Sequence, residues 1–535
     1  MMEIIRGPYP ERIGVAEMGP LFREAFAGER FVVVSNREPY EHHWAEDVGD
    51  VEVKRPAGGL ISALDPVLQA VGGTWIAWGS GDADAATVDA QDRVEVPPEA
   101  PRYTLRRLWL DQGDIHGYYL GYANQFLWPL CHLRPALTRV RARHWDRYRQ
   151  VNRRFANAVL DETRGVGAAV WFHDYHLALA PIFVRSRRPD LSLAHFWHIP
   201  WPPLDIFRVA PQAEDLLKGL LANDLVGFQI PSYARHFLHC AAAILGADVD
   251  WERMIVRFEG HDCVVRSFPI SIDVEAFRSA ATGPEAEAQI AKLRERYVLD
   301  GGQLGLGIDR MDYSKGLPQK LKALDLLWER YPEFRERFTF VQVAVPTRTD
   351  IEAYDELTHK VERLVWEISD RHGTPRWRPV HLIKRSLSAE RLAALYRAAD
   401  LCIVSSLQDG MNLVAKEFVA SQVDDPGVLL LSRFTGAAEV LDGYLEVNPY
   451  DPEAFARRIR DALSLPAEER ARRLQRLRGT LRSIYDWMAD IFWVWGTIHR
   501  EGRPPAPGVV RSVWPRPVRG TTRWVVPPPT AERGQ

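Results

Sequence analysis

Ten short apolar runs, separated by helix-length segments, constrain the fold of this chain more than any other feature. "FVVVS" (31–35), "AAVWF" (168–172), "LSLAHFW" (191–197), "LVGFQ" (225–229) and "CVVRSF" (263–268) form a first group. "QLGLGI" (303–308), "FTFVQVAV" (338–345), "PVHLI" (379–383), "LCIVSS" (401–406) and "GVLLLS" (427–432) form a second. The first is a short β-branched run closed by polar residues, as expected of a strand buried on both faces, and the others are similar short apolar runs. Helical stretches such as 146–163 and 231–245 lie between them. Alternation of this kind builds βαβ units and a parallel sheet. The class is therefore α/β.

The rhythm restarts after residue 300, and 535 residues exceed what one core holds. Two tandem α/β domains follow, over 31–285 and 286–482, with the junction between "PISIDVEAF" and the charged helix near 284–296. Residues 1–30 read as an irregular extension with one short helical stretch. The aromatic segment "SIYDWMADIFWVWGTIHR" lies within 483–502 and is too apolar for a free tail, so it should dock on the body of the protein. Residues 503–535 are proline-rich.

Composition excludes several function classes. A formal net charge of −3 gives no global basic field, so nucleic acid is not an expected partner. Cys131, Cys240, Cys263 and Cys402 show no CxxC pairing, which argues against a disulfide framework or a cysteine-rich zinc site. "MMEIIRGPYPERIG" carries no signal-type apolar region and the chain has no run of 18 apolar residues; a cytoplasmic protein without a membrane partner is expected. Nothing here sets the oligomeric state, and a homo-oligomer remains open.

Parallel sheets bind ligands at the carboxyl ends of their strands. One such end is "GIDRMDYSKGLP" (307–318), where Arg310, Asp312 and Lys315 precede Gly316 and a proline suited to the first turn of a helix. Two cations at a helix N-terminus make an anion site, or else a solvated loop held by its own salt bridges. A second is "SSLQDGMNLVAKEF" (405–418), whose Asp409–Gly410 turn opens a helix expected near Met411. Its carboxylate and backbone N–H groups suit a polyhydroxyl ligand, and Glu417 two turns on suits another pair of hydroxyls. "RPAGGLISAL" (55–64) places Gly58 and Gly59 where a diphosphate can approach the backbone. Arg37 in "SNREPY" and Arg348 in "AVPTRTD" end strands in different domains, and Tyr119 and Trp128 offer flat faces of the kind sugar rings use. "HDYH" (173–176) and "HFWH" (195–198) have loose metal-ligand spacing. On a strand the odd offset turns paired imidazoles to opposite faces, so no metal is expected and hydrogen-bonding histidines are.

Taken together, "SNR", "GGL", "NxxLWPLxH", "HDYHL", "HIPWP", "DRMDYSKGLP", "PTRTD" and "DGMNLVAKEF" resemble the trehalose-6-phosphate synthases over residues 31–500. These are family 20 retaining glycosyltransferases of GT-B architecture: two facing Rossmann-like domains, a central cleft and a C-terminal helix crossing back to the first domain. The resemblance implies that Arg310 and Lys315 hold the diphosphate of a nucleotide-glucose, with the Gly59 backbone alongside. It assigns Asp409 and the N–H groups of Gly410, Met411, Asn412 and Leu413 to the transferred glucose, and Glu417 to the ribose. His198 would meet the donor sugar and Asp174 the acceptor sugar, with Arg37, Tyr119, Trp128 and Arg348 around the acceptor phosphate. The implied reaction is transfer from UDP-glucose to glucose 6-phosphate without cofactor or metal; the donor nucleotide itself is not legible.

One departure bears on the acceptor. Glu38-Pro39-Tyr40 resembles the related glucosylglycerol-phosphate synthases, and "GTWIAWGSGDAD" (73–84) only loosely follows the usual tryptophan-containing segment. Transfer to glycerol 3-phosphate is thus the nearest alternative. A non-catalytic sugar-phosphate sensor on the same fold, or a metal hydrolase using the histidine pairs, are the others.

Overall fold

The computed structural model describes residues 13–45, 49–56, 58–299, 301–424 and 427–504. The proline-rich segment from 505 onward and the first twelve residues lie outside the described residues.

All ten apolar runs are strands, and they fall into two sheets. The first has ten strands, in the spatial order 248–250, 255–258, 261–267, 225–228, 192–196, 168–173, 30–37, 74–78, 103–108, 93–96. From 261–267 through to 103–108 every neighbouring pair is parallel. Antiparallel strands close both edges. Strands 168–173 and 192–196 are buried along their whole length, which is why they read as continuous apolar runs. The second sheet has six parallel strands in the order 380–383, 338–345, 303–310, 401–404, 428–432, 445–447. Each sheet reverses its strand order once. The switch points lie between 30–37 and 168–173 in the first and between 303–310 and 401–404 in the second. Crevices for ligands open at such points, outside the carboxyl ends.

Several strands of the first sheet went unread in the sequence, and Tyr103–Leu108 shows why. It carries Arg106 and Arg107 within a six-residue run, so no apolar pattern marks it. Arg107 is fully buried, with its Nε 2.7 Å from Glu38 Oε2 and its Nη2 2.8 Å from Asp84 Oδ1. The partners that make this burial tolerable are distant in sequence.

The aromatic helix Ile484–Glu501 does dock. Ser483 and Asp486 form a capping box at its start, and Gly502 ends it in a left-handed conformation. Trp487 Nε1 donates to the Phe268 carbonyl (2.9 Å) and Trp495 Nε1 to Ser192 Oγ (2.8 Å). Phe492 meets Phe22 and Phe31 edge-on. The helix thereby crosses back onto the first domain. Its partner there is the helix Met18–Ala25, whose Met18 and Phe22 are buried. Residues 18–25 therefore belong to the first core, so this part of the extension expected over 1–30 is not separate from it. The junction also shifts. Val274–Thr282 packs on helices Ala389–Ala398 and Leu413–Ser421 of the second domain, so the crossover lies near Ile270–Asp273, before the expected boundary at 285.

Among the described residues no helix is long and apolar enough to cross a membrane.

Candidate active site

The segment 303–318 explains how the second sheet presents its cations. Strand Gln303–Arg310 delivers Arg310 at its end, and Asp312 then caps a single tight turn by accepting from the Ser314 N–H and hydroxyl, both at 2.9 Å. Gly316 has φ +67, and a Cβ there would lie 2.1 Å from the Ser405 carbonyl oxygen; only glycine fits. Helix Leu317–Arg330 follows with Pro318 in its first turn. Below the loop, Lys320 is fully buried and donates to Asp309 Oδ2 (2.8 Å) and Gln342 Oε1 (3.0 Å), fixing the strand under Arg310.

Across the switch point stands Asp409. Its Oδ2 accepts from Lys315 Nζ at 2.6 Å, Ser406 Oγ at 3.0 Å and Asn412 Nδ2 at 3.1 Å. Burial opposes ionisation of Asp409, but Lys315 outweighs it and holds the carboxyl below its ordinary value. Lys315 is thus an ion-pair partner, not the free cation of a solvated loop. The helix begins at Leu413, two residues later than expected, because Asn412 (φ +94) caps it by accepting from the Ala415 N–H. Glu417, half-buried on this helix, accepts from the Tyr396 hydroxyl at 2.6 Å, and burial raises its carboxyl.

Residues of the first sheet meet this edge. A Cβ on Gly410 would lie 2.2 Å from the His198 carbonyl oxygen, and one on Gly59 would lie 2.3 Å from Leu413 Cδ1. Gly410 is therefore demanded by close backbone approach between the domains, whereas at Gly59 the neighbour is the movable end of the Leu413 side chain. Asp174 holds φ +69, a strained value for a non-glycine residue, and its Oδ1 accepts from the His198 N–H at 3.2 Å. Burial lifts the Asp174 carboxyl to about 7.

Three arginines form the other half of the site. Arg37 donates to the Tyr119 hydroxyl (3.2 Å). Arg348 donates to the Tyr354 hydroxyl (2.6 Å) and the Tyr175 hydroxyl (3.2 Å), and its Nη1 lies 3.4 Å from Asp312 Oδ2. The Trp128 ring carries the Arg348 guanidinium at 4.1 Å and that of Arg310 at 5.0 Å, and it stacks on His132 at 4.1 Å. The open sugar-stacking face expected of Trp128 is thus taken; the ring is a platform that aligns two guanidiniums. Although burial opposes it, Arg37 and Arg348 bring the Tyr119 phenol down to about 8.

The acceptor-side departures find a structural reading. Glu38 and Tyr40 are fully buried; Glu38 binds Arg107, and the Tyr40 hydroxyl donates to Asp65 at 2.9 Å. Trp75 is buried too, donating to Ser35 Oγ at 2.8 Å. These three buried residues hold the strand ends in place, while Trp78, half-buried at the end of the strand, lies 5.9 Å from the Tyr119 ring. Of the histidines in these motifs His173 and His198 meet at hydrogen-bond distance, and among the described residues no group of three or more His, Cys, Asp or Glu is arranged to hold a metal. His132, Tyr175 and Tyr354 join the site beyond the residues the sequence marks. The first two lie inside the motifs "LWPLCH" and "HDYH", and Tyr354 lies on a helix with no local signal.

Comparison with known proteins agrees with this geometry. The sequence profile of glycosyltransferase family 20 matches residues 29–492. An α,α-trehalose-phosphate synthase [UDP-forming] of Aspergillus niger is 36% identical over 454 residues, covering 84% of this chain and 92% of its own. The Schizosaccharomyces pombe enzyme of that name is 35% identical over 460 residues, covering 84% and 86%. A trehalose-6-phosphate structure from E. coli bound with UDP-2-fluoro glucose superposes with a TM-score of 0.79 at 31% identity, over 88% of this chain and 99% of that one. A Burkholderia xenovorans α,α-trehalose-phosphate synthase in complex with glucose-6-phosphate gives 0.75 at 30% identity, over 86% and 98%. The two Rossmann-like domains form a GT-B fold, and the chain is a glycosyltransferase belonging to family 20.

Proposed function

We propose that this enzyme transfers glucose, with retention, from UDP-glucose to glucose 6-phosphate, giving α,α-trehalose 6-phosphate and UDP. The observation that carries this reading is a charged cluster drawn from both domains beside the two switch points: Lys315 paired with Asp409, Arg348 of the second domain bonded to Tyr175 of the first, and Arg37 bonded to Tyr119. Relatives named as UDP-forming synthases, and neighbours holding a UDP-glucose analogue and glucose-6-phosphate, support it.

In this reading Arg310 and Lys315 hold the diphosphate beside Gly59. Asp409 and the N–H groups of Gly410, Met411, Asn412 and Leu413 hold the glucose, and Glu417 takes the ribose hydroxyls. The bond from the anomeric carbon to the β-phosphate oxygen breaks, and its electron pair leaves with UDP, where the two cations stabilise the growing charge. The acceptor hydroxyl oxygen bonds to that carbon on the same face, and its proton passes to the departing phosphate oxygen. Asp174 orients the acceptor sugar, and Arg37, Tyr119 and Arg348 hold its phosphate. Two fixed cations at the leaving group do the work of a metal ion, so no cofactor enters the proposal. The partners are the two substrates, with neither nucleic acid nor membrane involved, in the cytoplasm. Purified protein given UDP-glucose and glucose 6-phosphate should release UDP; absence of release would sink the reading.

Two further results are expected. Arg348→Ala should raise KM for the phosphorylated acceptor roughly 10- to 100-fold, the worth of a hydrogen bond to a charged group, with donor KM little changed. A change confined to donor kinetics would contradict the assignment. The acceptor KM should also rise above pH about 8, where the Tyr119 phenolate would place a negative charge among the guanidiniums. Tyr119→Phe should remove this alkaline limb; identical limbs in both proteins would rule Tyr119 out.

A further inference from the structure

The "HDYH" and "HFWH" motifs contain histidines that the reaction above does not use. Strands 168–173 and 192–196 run parallel with His173 opposite Phe196, and this register brings the His173 ring beside that of His198, just past the second strand. His173 Nδ1 lies 3.1 Å from His198 Nε2, with the ring centroids 5.4 Å apart and the ring planes inclined by 30°, so the two rings meet edge to edge. The His198 backbone is independently fixed, its N–H by Asp174 and its carbonyl by Gln229 Nε2 at 3.4 Å.

We propose that His173 is a positioning residue, whose Nδ1–H donates to His198 Nε2 and so fixes the tautomer in which His198 offers Nδ1–H to the sugar in the cleft.

Two nitrogens facing each other at hydrogen-bond distance need one proton between them, and only two neutral arrangements supply it. If His198 Nε2 donated, the remaining proton of His173 would sit on its Nε2. That atom is buried and has no partner, and orphaned buried N–H groups are rarer in folded proteins than acceptors left short of a partner. Burial lowers the basicity of both rings, taking His198 to about 3, so the doubly protonated pair is excluded at neutral pH. The remaining arrangement leaves Nδ1–H of His198 as a donor. His198 is only half-buried, and among the described residues that nitrogen has no protein partner. A sugar hydroxyl facing this N–H accepts from it and keeps its own O–H free to donate elsewhere. A tautomer that flipped would lose this contact.

The inference concerns the donor-sugar contact of the proposed reaction and rests on that reading only for its kinetics. Its direct test is the 15N spectrum of histidine-labelled protein, with His198 assigned by its loss in His198→Gln. The parent should show His198 protonated at Nδ1, and His173→Leu should show both tautomers. An unchanged tautomer in His173→Leu would overturn the proposal. The kinetic arm compares three variants. Asparagine places an amide N–H where Nδ1 stood, glutamine places it where Nε2 stood, and leucine places none. His173→Leu and His173→Gln should lose on the order of tenfold or more in kcat through misplacement of His198, and His173→Asn should recover most of that loss. A purely structural role predicts the opposite order, because buried asparagine is tolerated less well than leucine; kcat that followed the melting temperatures would overturn the proposal. A parent inactive with every nucleotide-glucose would end the proposed transfer reaction, while the spectrum would still decide the role of His173.

Discussion

Lys315→Ala is expected to lower kcat by about 100- to 1000-fold, the usual effect of removing one preorganised group at a site of developing charge. The ammonium sits 2.6 Å from Asp409 Oδ2 in a mostly buried position, so its loss removes a leaving-group cation and the ion pair that aims the Asp409 carboxylate. Folding should survive, because Asp409 keeps its bonds from Ser406 and Asn412. Arg310→Ala should act in the same direction with less disturbance, since its side chain is 43% exposed and the carboxylate of Asp312 lies 3.8 Å away. The check is single-turnover kinetics beside the binding of UDP. Unchanged UDP affinity and turnover in both variants would remove these residues from the diphosphate.

Lys320→Ala should have the largest effect on stability, about 3–5 kcal/mol, because it leaves the Asp309 carboxylate buried without its partner. Gln342 alone would then remain to Asp309, donating at 3.2 Å. Gly307 is glycine because a Cβ there would lie 2.7 Å from Lys320 Nζ, so the pocket is built around the ammonium and collapse cannot fill it cheaply. Chemical denaturation followed by fluorescence reads the loss. Lys320→Met combined with Asp309→Asn should recover much of it, since no unpaired charge is then buried. A Lys320→Ala protein as stable as the parent would show that Asp309 is neutralised some other way.

What the sequence made legible follows from how local each signal is. The second sheet was readable almost strand by strand: "FTFVQVAV" matches strand Phe338–Val345 residue for residue, because a fully buried parallel strand is an uninterrupted apolar run. In the first sheet, Thr74–Trp78 was read as an acceptor segment and Tyr103–Leu108 was unread, since a buried arginine is apolar only through partners elsewhere in the chain. The domain junction fell at the charged helix near 284–296, where composition changes, whereas packing puts it before Val274–Thr282. In the site, charged residues at strand ends were visible one by one. That Trp128 supports arginines, and that Glu38 is structural, depended on tertiary neighbours that spacing does not encode.

One product measurement tests the identity of the two substrates. Purified protein is incubated with UDP-glucose and, separately, glucose 6-phosphate or glycerol 3-phosphate, and the product is identified by mass and by the anomeric coupling in its proton spectrum. The account predicts α,α-trehalose 6-phosphate and stoichiometric UDP with glucose 6-phosphate, and no comparable product with glycerol 3-phosphate. A glucosylglycerol phosphate as the main product, with glucose 6-phosphate left unchanged, would contradict it.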